Sequence, residues 1–206
     1  MSAPTTTVCV IDAVDPAATA IARAAAVLRE GRVVAFPTET FYGLGAAADD
    51  PAGVRRVFHA KGRDESKPIL VLVDSITMAE SLAIEVTTSA RDLMMRHWPG
   101  ALTLVLRARQ GLPTELTAGT GTIGVRLSPH PVARRLVRAL GGPVTAPSAN
   151  RGGATPPTTA ADVLRVFDGA IDFVLDAGAT VGGLASTVVD VTGAVPRVLR
   201  QGAVPI

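Results

Sequence analysis

The stretch RVVAFPTETFYGLGAAADDP, residues 32–51, changes its structural rhythm every few residues. Arg32 to Phe36 is a compact apolar run, the pattern of a strand buried on two sides. Pro37-Thr38-Glu39-Thr40 breaks it, because proline lacks an N–H and the polar residues that follow favour a turn. Phe41 to Ala47 resumes an extended, glycine-containing segment. Asp50 then offers an N-cap and Pro51 a first helical residue, which predicts a helix running through His59. A buried strand that ends in a polar turn is also where open α/β sheets place ligands.

The same punctuation extends in both directions. Toward the N-terminus, Thr7 to Ile11 reads as a strand. Asp15 and Pro16 repeat the cap-plus-proline signal for an Ala-rich helix to Glu30, which Gly31 stops. Toward the C-terminus, strands are predicted at Ile69 to Val73, Leu102 to Leu106, Thr122 to Leu127, Val144-Thr145, Phe173 to Leu175, Thr187 to Val191 and Val198 to Arg200. Helices are predicted at Thr77 to Ile84, Thr87 to His97, Pro131 to Leu140 and Ala160 to Phe167. Trp98-Pro99-Gly100 is a hard stop. Interleaved strands and helices, with some strand-to-strand connections, predict an α/β fold. We expect a single domain over residues 1–206, built on a mixed, twisted open sheet with helices on its faces. Gly178 to Gly183 reads as a mobile loop within it.

Composition removes several function classes. With 48% hydrophobic and 18% charged residues among 206, the chain can bury a core and is not a disordered one. No apolar run approaches the ~20 residues of a spanning helix. Met1 to Val10 shows no secretory pattern. A single cysteine, Cys9, excludes an intramolecular disulfide and argues against Cys-based zinc. These absences point to the cytoplasm. A net charge of +2 and 3% aromatics argue against a bulk nucleic-acid binder or a broad base-stacking surface. Any anion site must be local.

Several local patterns can supply one. There is no P-loop, GxSxG elbow or HExxH. Gly43-x-Gly45-x-x-Ala48 imitates a dinucleotide fingerprint, but Pro51 opens the next helix too late, so close backbone approach is the better reason for these glycines. Lys61-Gly62-Arg63, with Lys67 behind, leaves a helix end. The residues are either cations on a helix dipole or, in an extended segment facing one way, a clamp for an anion. Thr38, Glu39 and Thr40 either cap a turn or fix polar groups of a small molecule. Ser148-Ala149-Asn150 is either a turn or a hydroxyl-plus-amide site at a strand end. Arg126 lies between apolar residues in its strand and therefore needs a carboxylate, from the protein or from a ligand. His59, His97 and His130 are isolated and read as cap, surface or packing residues.

Taken in order, FPTETFYGLG, KGR followed by KPILVLV, WPGALTLVL, TGTIGVRLSPHP, APSAN, STVVDVTG and RVLRQG resemble the YrdC/Sua5 family of L-threonylcarbamoyladenylate synthases. The resemblance covers about Arg23 to Ile206 and is to the short, YrdC-domain-only form. It implies an open α/β sheet around a large basic cavity. It also implies a reaction in which L-threonine, bicarbonate and ATP give threonylcarbamoyl-AMP and pyrophosphate. That adenylate would feed the N6-threonylcarbamoyl modification of adenosine 37 in tRNA, through a separate transferase complex.

Residue by residue, Lys61, Arg63, Ser148 and Asn150 match the family's catalytic KxR…SxN set around the nucleotide phosphates. Lys67, Thr122, Pro156 and Arg200 align with further ATP contacts. Thr38, Thr40, Arg126, Ala146 and Ser186 align with contacts to L-threonine, Arg126 gripping the carboxylate. Magnesium is expected with ATP, held mostly by phosphates and water, with no protein metal site and no organic cofactor. The family's basic concave surface implies weak RNA binding, and no membrane partner is expected. Two departures stand out. Lys67 and Leu72 replace the usual Asn and His of an NPLIVH segment, so the threonine contact of that His has no counterpart at Leu72. Pro156 replaces a frequent Ser. The rival readings are a carbamoyl-adenylate former, whose relatives carry zinc-binding cysteines, and an RNA-binding module.

Overall fold

In the computed structural model, which describes residues 5–64 and 66–206, strands and helices alternate as their patterns require. The order is β1 (Thr7–Val10), α1 (Ala18–Arg29), β2 (Val34–Pro37), β3 (Tyr42–Gly45), α2 (Pro51–Lys61), β4 (Leu70–Leu72), α3 (Ile76–Ser81) and α4 (Thr88–His97). It continues with β5 (Leu102–Arg107), α5 (Thr114–Thr117), β6 (Thr122–Arg126), α6 (Pro131–Leu140), β7 (Val144–Thr145), α7 (Ala160–Phe167), β8 (Phe173–Asp176), β9 (Thr187–Asp190) and β10 (Arg197–Arg200).

The strands make two mixed sheets, ordered β1-β8-β2-β3 and β10-β9-β5-β6-β4-β7. Residues 32–51 lie at their junction. β2 and β3 form an antiparallel hairpin with Phe36 opposite Gly43. β3 and the residues after it meet the second sheet through bridges from Gly43 to Ser148 and from Ala47 to Val144, with the Leu44 N–H donating to the Pro147 carbonyl and the Thr145 N–H to that of Ala46. The approach is tight. A Cβ on Gly45 would lie 2.7 Å from the Phe36 ring and 2.9 Å from Val144. Close backbone approach, not dinucleotide binding, therefore explains that glycine.

Two apolar clusters flank the junction. Ile21 and Leu28 of α1 meet Leu136 and Val137 of α6 over Phe36 and Leu175. The larger cluster gathers Leu44, Val57, Phe58, Met94, Leu104, Val125 and Phe167. Among the described residues, no helix is long and apolar enough to cross a membrane.

Three local expectations change. Asp15 and Pro16 do not open α1, whose N-cap is Ala17 without a side-chain bond. The carboxylate of Asp12 instead accepts from the N–H groups of Val14 and Asp15, a competing turn just upstream. Helix α2 runs through Lys61, not His59, and Gly62 ends it at φ +58°. Asp50 caps that helix as expected, accepting from the N–H of Ala52. The loop at Gly178 to Gly183 is tied down: the Thr180 hydroxyl and the Gly182 N–H both donate to the carbonyl of Thr40.

Candidate active site

A cavity of about 470 Å³ opens between the hairpin of the first sheet and strands of the second. That is within the usual range for small-molecule sites, ~300–1,000 Å³. Its cations are Arg63, Arg126 and Arg200, and among the described residues no Asp or Glu lines it. Thr38, Thr40, Thr122, Ala146, Ser148, Pro156 and Ser186 also face it. The structure thus brings together every predicted site residue except Lys61, Lys67 and Asn150.

The hairpin turn is held by its own hydroxyl. Thr38 Oγ1 donates to the carbonyl of Phe41 at 2.8 Å and accepts from the N–H groups of Thr40 and Phe41. Thr40 Oγ1 lies 3.2 Å from it. Both are buried, so the turn presents a fixed polar edge to the cavity. Tyr42 lines the wall and its hydroxyl donates to the carbonyl of Gly178 at 2.7 Å while accepting from the N–H of Ala177. Burial raises that phenol to about 12. Tyr42 and the anchoring role of Thr40's carbonyl escaped the sequence reading, because their partners lie more than a hundred residues away.

Arg126 ends β6, 4% exposed, with its Nε 3.4 Å from Glu39 Oε1. The protein carboxylate that an apolar strand demands is therefore Glu39, whose other oxygen accepts from the Ser128 hydroxyl. Among the described residues no hydrogen bond engages the Arg126 guanidinium. Burial, more than the nearby Arg200, lowers its pKa, and Glu39 opposes that shift. Leu72 sits opposite Arg126 in the β4–β6 register, buried in the core and not lining the cavity.

The KxR pair divides. Lys61 is the last residue of α2 and is buried. Its Nζ donates to the carbonyls of Ser148 and Asn150, the latter at 2.6 Å. Gly62 turns the chain, so Lys61 and Arg63 are not on one face of an extended segment. Arg63 alone reaches the cavity, donating from Nη2 to the carbonyl of Pro68 at 3.0 Å. Among the described residues its buried Nε has no hydrogen-bond partner. Desolvation lowers its pKa, as it does for Lys61, which falls to about 8. Asn150 works locally: its Oδ1 accepts from the Ser148 hydroxyl and its Nδ2 donates to the carbonyls of Arg151 and Ala154. Lys67 is exposed and outside the cavity.

Arg200 closes the opposite wall. Its Nε and Nη2 donate to the carbonyl of Ser186 at 3.2 and 2.8 Å. Ser186 Oγ lies 2.9 Å from Thr103 Oγ1. Thr187 Oγ1 donates to the carbonyl of Val204 and accepts from the N–H of Gly202, folding the C-terminal residues back under the site. His130 is a cap, accepting at Nδ1 from the N–H of Val132. No group of three or more His, Cys, Asp or Glu suited to a metal occurs among the described residues.

This cavity, with its arginines and the PTET, KxR and SxN segments around it, coincides with a family signature. The sequence model described as telomere recombination, that of the Sua5/YciO/YrdC proteins, matches residues 26–202. The chain belongs to the Sua5/YciO/YrdC family. A threonylcarbamoyl-AMP synthase of Pyrococcus abyssi is 44% identical over 183 residues, which is 89% of this chain and 54% of that protein. One from Bacillus subtilis is 44% identical over 185 residues, with the same 89% and 54% coverage. This Sua5/YciO/YrdC chain thus spans about half the length of those two relatives. A putative threonylcarbamoyl-AMP synthase of Mycobacterium tuberculosis is 40% identical over 89% of this chain and 84% of its own length. The crystal structure of P. abyssi Sua5 complexed with L-threonine superposes with a TM-score of 0.93 at 41% identity, covering 97% of this chain and 58% of that one. E. coli YciO shares the fold, with a TM-score of 0.88 at 24% identity over 96% of each chain.

Proposed function

We propose that this protein is an L-threonylcarbamoyladenylate synthase. The amine of L-threonine takes up carbon dioxide from bicarbonate to give a carbamate. A carbamate oxygen attacks the α-phosphorus of ATP, and pyrophosphate leaves. The balance is threonine, bicarbonate and ATP to threonylcarbamoyl-AMP, pyrophosphate and water. Negative charge builds on the phosphoryl and leaving-group oxygens, so positioned cations are the main service required of the protein. The observation that carries this reading is the joint cavity of Arg63, Arg126 and Arg200, with the Arg126 guanidinium held at a polar turn and, among the described residues, without a hydrogen-bonded partner. Its fork suits an amino-acid carboxylate, and Arg63 suits a phosphate. Magnesium enters with ATP as part of the substrate.

In this reading the hydroxyls of Ser148 and Thr122 serve the nucleotide and those of Thr40 and Ser186 the amino acid; all four residues line the cavity. Lys61 and Asn150 act one step removed, by shaping the loop that carries Ser148. The adenylate is a reactive mixed anhydride, and its consumer is the transferase complex that modifies adenosine 37 of tRNA in the cytoplasm. Purified protein given ATP, bicarbonate, magnesium and L-threonine should release pyrophosphate only with threonine present and yield threonylcarbamoyl-AMP by mass spectrometry. Adenylation of serine or of an ammonia-derived carbamoyl group, with threonine inert, would overturn the assignment. Arg63→Ala should cut the rate ~10–1,000-fold, the range for losing one charge-stabilising donor, with native circular dichroism.

A further inference from the structure

Glu39 stands between two threonines that line the cavity, yet it is not among the lining residues itself. It is the carboxylate that faces the Arg126 guanidinium, and it does so from one side only. Oε1 lies 3.4 Å from Nε, the inner edge of the fork. Oε2 is held by the Ser128 hydroxyl. That hydroxyl in turn accepts from the N–H of His130 at 3.1 Å, which orients it toward Glu39. The ring of His130 is occupied as the cap of α6, and burial lowers its pKa, so it brings Glu39 no competing cation near neutrality. A chain of hydrogen bonds therefore runs from the start of α6 through Ser128 to Glu39, and an ion pair, not a hydrogen bond, continues it to Arg126.

We infer that Glu39 is the positioning residue of the amino-acid site: it pins the Nε edge of Arg126 so that the two terminal nitrogens point into the cavity as a fork for the substrate carboxylate. The inference rests on the function proposed above. Two effects compete when a ligand carboxylate arrives. Glu39 repels it, and Glu39 also holds the guanidinium in the one orientation that can bind it at two points. Orientation should dominate, because a bidentate fork is lost on rotation of the plane, whereas repulsion acts across the whole guanidinium. A buried guanidinium with no anion would also have to recruit water or a backbone carbonyl, and would turn to do so.

The experiment measures kcat and both KM values by pyrophosphate release for the parent, Glu39→Gln, Glu39→Asp and Ser128→Ala. Melting is followed with and without threonine, in the presence of a non-hydrolysable ATP analogue. The parent must first show a threonine-dependent rise in melting temperature. Its absence would remove the proposed function, and this inference with it. Given that rise, Glu39→Gln should raise KM for threonine ~10–100-fold with KM for ATP changed less than about threefold, at the lower end of what losing a buried charge partner costs because Gln keeps an oxygen facing Arg126. Glu39→Asp should recover part of the threonine affinity, and Ser128→Ala should show a smaller loss of the same kind. An unchanged or lowered KM for threonine in Glu39→Gln would overturn the inference. So would a parallel rise in both KM values with early melting, which is the signature of a scaffold residue. If Glu39→Gln does not fold, the same split in Ser128→Ala decides, and equal effects on both substrates there reject the positioning role.

Discussion

Lys61 shows how a cation beside a cavity lined by arginines can serve the scaffold. Its ammonium satisfies two carbonyls of the Ser148–Asn150 loop, and burial, more than repulsion from Arg63, lowers its pKa to about 8. In the unfolded chain it titrates near its ordinary value of 10.5. Between these values the unfolded state binds more protons, so this group's contribution to stability rises with pH from about 8 to 10.5. Tyr42 acts in the opposite sense. Its folded pKa of about 12 lies above the usual 10.0, so its contribution is complete below 10 and is lost as pH climbs toward 12. Denaturant midpoints should therefore climb on the alkaline side and then fall. Lys61→Met should flatten the climb and leave the later fall, and a climb that persists in the variant would assign it to another group. The sequence shows that Arg126 needs a carboxylate. It does not show which one, because Glu39 lies in the β2–β3 turn, far from β6 in sequence, and only the folded chain brings the two side chains together.

At the scale of elements, two glycines limit how the walls of the cavity meet. Gly45 admits Phe36 and Val144 against the β3 backbone. Gly45→Ala should cost ~1–3 kcal/mol by overpacking, which lowers the melting temperature by about 2–12 °C in a chain of this size. Gly202 lies where a Cβ would come within 2.2 Å of the Ala185 carbonyl oxygen, under the residues that hold Arg200 and Ser186. Gly202→Ala should therefore raise KM for ATP as well as lower the melting temperature. A variant that melts early with unaltered kinetics would separate the C-terminal fold-back from the site. Most elements were legible from punctuation: Asp50-Pro51 opens α2 and Pro131 opens α6 as read. The cap at Asp15 was not, since Asp12 offers the same backbone groups a tighter turn and nothing local ranks the two. Likewise α5 at Thr114–Thr117 is a single turn, too short to leave a period in the sequence.

At the scale of the molecule, the two sheets meet along a seam where the N–H groups of Leu44, Ala48, Thr145 and Ala149 donate to the carbonyls of Pro147, Pro143, Ala46 and Tyr42, and the cavity opens beside that seam. A ligand that fills it should bind them as one unit. With threonine and an ATP analogue each at ~100 times its dissociation constant, each ligand should add ~2.7 kcal/mol, or about 5–11 °C. Amide exchange should slow in both sheets, at Leu44 in β3 and Val125 in β6. Slowing confined to one sheet would place the ligand elsewhere. Hydrophobic period, glycine, proline and capping residues act over a few neighbours, so the α/β class, the order of the elements apart from α5, and the segments that carry polar chemistry are legible without the fold. That there are two sheets, that Arg63 and not Lys61 reaches the cavity, and that Glu39 faces Arg126 emerge from the folded chain. Those outcomes depend on which distant backbone groups compete for a buried charge, and the cost of leaving such a charge unpaired is settled only once the chain has closed around it.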